Sequence, residues 1–128
     1  MRKSLFYICL CLIVVVSGCE KEVISPNRTI ITTLSPGDWI QSNGGRSYSA
    51  AIDMPEIDDY VNENNGILVY FSFEDGTYEP LPEVYNGVSY SYITRIGQIV
   101  VEIQSSDGIS VVTPPGGVKV KIVLIDSY

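Results

Sequence analysis

Histidine is absent from this chain of 128 residues, and cysteine is nearly so once the N-terminal leader is set aside. Histidine is the usual general base near neutral pH and the commonest metal ligand. Its absence removes Ser-His and Cys-His nucleophilic sites and typical zinc sites. Of three cysteines, Cys9 and Cys11 fall inside an apolar N-terminal run and only Cys19 lies beyond it. A domain after that run therefore has no internal disulfide and rests on its hydrophobic core. Cations are scarce as well: 8 Lys and Arg stand against 15 Asp and Glu, a net charge of −7. Affinity for phosphates comes from clustered Lys and Arg, so nucleic acid is not an expected partner. No apolar run is long enough to cross a bilayer. Leu5–Val16 has twelve residues, against the roughly 20 that a membrane helix needs.

What is present at the N-terminus is a secretory signal in three parts. Arg2 and Lys3 supply the positive start, Leu5–Val16 the apolar segment, and Ser17-Gly18 the small residues before a cut. Val16-Ser17-Gly18-Cys19 resembles the lipobox of bacterial lipoproteins, whose obligatory cysteine Cys19 would match. The resemblance implies a diacylglycerol on the Cys19 thiol, removal of residues 1–18 and acylation of the new amine. Each buried CH₂ contributes about 0.8 kcal/mol, so several acyl chains make a lasting membrane tether where one does not. Removal of Arg2 and Lys3 takes two cations and no anion, so the charge moves from −7 to −9. Residues 19–27 read as the lipidated cysteine and a short tether broken at Ser25-Pro26-Asn27. Glu20-Lys21-Glu22 in that tether is either a weak surface-export signal or an incidental solvated charge run.

Residues 28–128 read as one all-β domain. Apolar and β-branched segments alternate with turn signals every eight to twelve residues. The pattern places Tyr48, Ala50 and Ile52 on one face, as it does Val88, Tyr90 and Tyr92, then Ile99, Val101 and Ile103. In the last segment Val118, Val120, Ile122 and Leu124 face inward while Lys119 and Lys121 face water. Ile67–Phe73, the most apolar stretch, reads as a central strand covered on both faces. Pro80-Leu81-Pro82 forbids continuous pairing and marks an edge or a loop. Glu56–Glu63 allows a turn or two of helix, and Ile109–Val112 a short strand. The expected fold is an immunoglobulin-like β-sandwich of about seven or eight antiparallel strands, without the disulfide of antibody domains.

From Trp39 to Ile125 the chain resembles a group of short lipoproteins of the Bacteroidota. The residues that carry the likeness are Trp39, Pro55, Gly66-Ile67-Leu68-Val69-Tyr70, Leu81-Pro82, Tyr90 with Tyr92, and Lys121-Ile122-Val123-Leu124-Ile125. These are features of a fold rather than of a reaction, so the resemblance implies a sandwich and a source and supplies no site.

Three sets of residues are candidates for function. Trp39, Tyr78, Tyr85, Tyr90 and Tyr92 offer aromatic area with polar tips, either as a flat recognition surface for a glycan or protein or as ordinary core and strand residues. Asp53, Glu56, Asp58, Asp59 and Glu63, with Asn62, Asn64 and Asn65, have the oxygen chemistry of a calcium site but not EF-hand spacing. A solvated connection is the simpler reading of them. Glu74, Asp75, Glu79 and Glu83 surround one proposed hairpin and contain the makings of a glycosidase pair. A sandwich of this size leaves little room for the deep cleft such an enzyme needs. The expectation is accordingly a non-enzymatic, outer-membrane lipoprotein with no cofactor and no catalytic residue. It would bind a glycan or an envelope protein, or else serve as a structural subunit of a larger envelope complex.

Overall fold

The computed structural model describes Gly18 and residues 27–127. Nine strands lie among them: β1 Arg28–Leu34, β2 Ile40–Ser42, β3 Ser47–Asp53, β4 Gly66–Glu74, β5 Thr77–Pro80, β6 Glu83–Tyr85, β7 Val88–Arg95, β8 Gln98–Ser105 and β9 Val118–Ile125. They form two antiparallel sheets, one ordered β1-β9-β4-β5 and the other β2-β3-β8-β7-β6. The protein is a β-sandwich.

Period-two burial fixes which side of each strand faces the core. In β9 Val118, Val120, Ile122 and Leu124 are buried, and their partners across the ladder in β4, Val69 and Phe71, are buried with them. The opposite sheet contributes Ala50 and Ile52 from β3 and Ile99, Val101 and Ile103 from β8. Trp39 and Leu34 close one side of the core, and Met54 and Ile57 are buried at the start of the connection from β3. Helix α1, Asp59–Asn64, follows that connection. Its N-terminus is capped by Asp58, whose Oδ1 accepts from the Val61 N–H at 2.8 Å, as an N-cap aspartate should.

Two expectations are corrected by this arrangement. Ile109–Val112 is not a strand. The Asp107 carboxylate accepts from the Ile109 and Ser110 N–H groups, both at 2.8 Å, and from the hydroxyls of Ser105 and Ser110. Such a side chain competes with a ladder for backbone donors. These bonds, led by that of Ser105, hold the Asp107 carboxyl well below the usual carboxylate range. The Ile67–Phe73 run, in turn, is covered by protein on one face only: Leu68, on the outer side of β4, is 40% exposed. Part of that outer face is masked by a charged side chain. Lys121 Nζ stands 4.5 Å from the Tyr70 ring centroid and 4.1 Å from that of Tyr78, within the range of a cation–π contact.

Phe71 has no exposed surface and meets three other rings edge to face, with Trp39 at 6.5 Å, Phe73 at 5.8 Å and Tyr90 at 6.1 Å between centroids. The contact with Tyr90, on β7, joins the two sheets. Phe71→Ala removes the shared ring, and a loss of about 3–5 kcal/mol is expected, measured as a lowered urea midpoint with a small change in slope.

Candidate functional site

Two hairpins, one from each sheet, form the site. The first joins β4 to β5 through Asp75-Gly76, where Gly76 has φ +83°. The second joins β6 to β7 through Asn86-Gly87, both at positive φ, as a tight two-residue hairpin turn requires. Between the hairpins the chain crosses from the edge of one sheet to the edge of the other in two residues, Leu81-Pro82. Leu81 is buried and its N–H donates to Val69 O at 2.9 Å. The Leu-Pro signal in the sequence thus marks a change of sheet.

This crossing leaves a cleft beside it, of about 400 Å³, between the two hairpins. Phe73, Tyr85 and Tyr90 supply its aromatic wall, and Glu74, Glu79 and Thr77 its polar groups. Phe73 and Tyr90 pack edge to face at 5.5 Å. Phe73 remains 45% exposed and Tyr85 61%, so apolar ring surface is left for a ligand. Phe73 follows Phe71 by two residues and so falls on the same side of β4, where it meets both Phe71 and Tyr90; the β4–β5 ladder shifts register between Phe71 and Glu74.

The cleft is electrostatically one-sided. Glu79 pairs with Phe71 across the β4–β5 ladder, and Glu83 with Tyr90 across the β6–β7 ladder, so both carboxylates stand on inward-facing positions of edge strands. Burial pushes the Glu83 carboxyl above its ordinary value of 4.5, and the charge of Glu79 adds to the shift. Glu83 Oε1 is buried and has no hydrogen-bond partner among the described residues. Burial also raises the Tyr90 phenol, with Glu83, Glu79 and Tyr85 contributing in that order. The four side chains therefore share one electrostatic neighbourhood.

The aromatic residues singled out in the sequence are divided among three places. Tyr85 and Tyr90 line the cleft. Tyr78 sits on the outer face of the four-stranded sheet against Lys121. Tyr92 donates its hydroxyl to Ile67 O at 2.7 Å and lines a second depression of about 540 Å³ beyond Pro82, with Asn62 and Asn65. Burial raises the Tyr92 phenol, with Tyr70 second. Trp39 is 8% exposed and belongs to the core, because its ring completes the contact with Phe71. A single flat patch made of all five is thus replaced by a cleft made of two of them. Phe73, which sequence reasoning read only as strand, is its third ring.

The other candidates are placed as follows. Cys19 lies outside the described residues. In the 53–65 stretch several of the polar side chains have partners, and Asn62 Oδ1 is buried without one among the described residues. Glu56 lies 3.8 Å from Arg28, Asp58 caps α1, and Asn65 donates to Asp126 at 3.0 Å. Among the described residues no group of three acidic, histidine or cysteine side chains converges as a metal site would. Asp75 faces outward to Lys119 at 3.6 Å, an exposed pair of little energetic weight. No helix among the described residues is long and apolar enough to cross a membrane.

Family models, curated proteins and solved structures offer no match to this chain. Its function has to be argued from the cleft.

A carboxyl whose folded pKa is raised binds its proton more tightly in the folded state. It costs no stability below its unfolded value of 4.5 and destabilises progressively as pH rises through the raised one. Glu83→Gln is therefore expected to unfold at a higher urea concentration than wild type at neutral pH. The gap should close as pH is lowered past 4.5.

Proposed function

We propose that this chain is a lipid-anchored, non-enzymatic binding module of the cell envelope, tethered to the outer membrane through lipid on Cys19, and that it binds its ligand in the cleft between the two hairpins. The observation that carries the reading is the exposed ring surface of Phe73 and Tyr85 beside Tyr90, in a concavity with convergent polar groups. Its size falls in the range of about 300–1,000 Å³ usual for ligand sites. A reading as a structural subunit of a larger envelope complex has a separate observation in its favour. The outer face of the four-stranded sheet exposes Ile31 and Leu68, apolar surface of the kind a neighbouring subunit covers.

Fractionation and surface proteolysis of intact cells test the tether and its side of the membrane. Wild type is expected in the outer-membrane fraction and Cys19→Ala outside it; an unchanged Cys19→Ala distribution refutes the anchor. Tyr85→Ala should keep the wild-type thermal midpoint, since that ring is largely exposed, and lose capture of the envelope glycan or protein that wild type retains. A Leu68→Glu variant that loses the partner while Tyr85→Ala keeps it would favour the structural-subunit reading.

A further inference from the structure

The chemistry of the cleft narrows the class of ligand, an inference that rests on the cleft being the binding site. Glu74 and Glu79 line it, Glu83 stands beside Glu79, and no Lys or Arg lines it. The cations among the described residues are turned elsewhere. Lys119 and Lys121 lie on the outer side of β9, Arg28 is beside Glu56, Arg46 donates its Nε–H to Asn43 O, and Arg95 stands at the end of β7 opposite Gln98. Carboxylates gathered in one cleft are relieved by a cation placed between them. Aromatic faces attract the same cation through their quadrupoles. Neutral rings beside the carboxylates of Glu74 and Glu79 thus select positive charge over a neutral polar group.

The surroundings favour a peptide as the source of that charge. β5 and β6, which carry Thr77, Glu79 and Tyr85 of the cleft, are the end strands of their sheets, so each presents an unpaired backbone edge. An extended segment can hydrogen-bond to such an edge while sending alternate side chains inward. Guanidinium fits this setting better than ammonium, because it is planar, stacks on aromatic rings and is forked for carboxylates. We infer that the cleft between the β4–β5 and β6–β7 hairpins receives an arginine side chain from an extended segment of a protein partner, with Glu74 and Glu79 as its counter-charges and Phe73, Tyr85 and Tyr90 as its stacking wall.

The test is a titration of the full chain, purified in detergent and ¹⁵N-labelled at tyrosine and phenylalanine, followed by NMR. The probes are acetyl-Gly-Arg-Gly-amide, its citrulline isostere, a glucosamine trimer and an N-acetylglucosamine trimer. Citrulline keeps the shape of arginine and lacks the charge. The arginine peptide is expected to shift Phe73, Tyr85 and Tyr90 saturably, with affinity at least about tenfold above that of the citrulline peptide. Glu79→Gln and Glu74→Gln, both isosteric changes at accessible positions, should each weaken it several-fold while leaving the spectrum otherwise intact. Equal binding of arginine and citrulline overturns the charge requirement. Tighter binding of the glucosamine trimer overturns the protein source. Saturable shifts from the N-acetylglucosamine trimer alone keep the cleft as the binding site and reject the arginine. No response from any probe rejects both.

Discussion

The ring of Phe71 is the contact on which the rest of the sandwich depends. It sits on β4 with no exposed surface, touches Trp39 on one side of the core and Tyr90 of the opposite sheet on another, and carries Phe73 as its outer neighbour. Edge-to-face pairs add roughly 0.5–1.5 kcal/mol each beyond the area they bury. Their geometry matters more here than their sum. Because Phe71 fixes Tyr90 from below and Phe73 from the side, the aromatic wall of the cleft is an extension of the core. A site built this way is held in place before any ligand arrives, which reduces the ordering cost of binding.

The second constraint is the short crossing at Leu81-Pro82. A chain that changes sheets in two residues brings the edges of both sheets together there and leaves no room for a loop to cover them. Leu81 seals the core at that point, with its N–H still paired to Val69. Two depressions accompany the crossing: the acidic aromatic cleft, and the one lined by Pro82, Tyr92, Asn62 and Asn65. Exposed edge strands invite pairing with other chains. In this protein the short β6 and the proline that ends β5 limit that hazard, while the unpaired groups that remain stay usable by a specific partner.

Strand positions and inward faces were legible in the sequence wherever alternation was strict, as in Val118 to Leu124 and Ile99 to Ile103. The turn at Asn86-Gly87 was equally plain, since both residues adopt positive φ. What alternation cannot reveal is register between strands. Alternation puts Phe73 on the side of Phe71, but that Tyr85 and Tyr90 stand opposite it to make a cleft is not signalled in the run ILVYFSF. The tyrosine cluster was visible as a cluster, but its division depended on which residues share a side. Tyr78 and Glu79 are neighbours in sequence and fall on opposite faces of β5. Trp39 was ambiguous for a related reason: a lone tryptophan after a turn suits a surface as well as a core until its partner, Phe71, is known. Ile109–Val112 failed as a strand because Asp107 captures its first two N–H groups, a local competition that hydrophobicity does not register.

Glu83 marks where folding and function pull apart. Its inward position on β6, opposite Tyr90, is one that an apolar residue would fill with a gain in stability. The carboxylate instead lies near that of Glu79 with one oxygen buried and unpartnered among the described residues. A buried polar group without a partner costs about 1–3 kcal/mol, a substantial share of the 5–15 kcal/mol that a domain usually has. Elsewhere in the chain charges are treated conventionally: Lys121 lies over two tyrosine rings, Asp58 caps a helix, and Asp107 is surrounded by donors. Trp39 Nε1 and Asn62 Oδ1 are also buried without a partner among the described residues, but Glu83 alone of the three is a carboxylate, and an unfavourable group of that kind points to a task other than folding. In this cleft that task is the one a cation would complete, because a single positive charge satisfies Glu79, relieves Glu83 and covers the exposed faces of Phe73 and Tyr85 together.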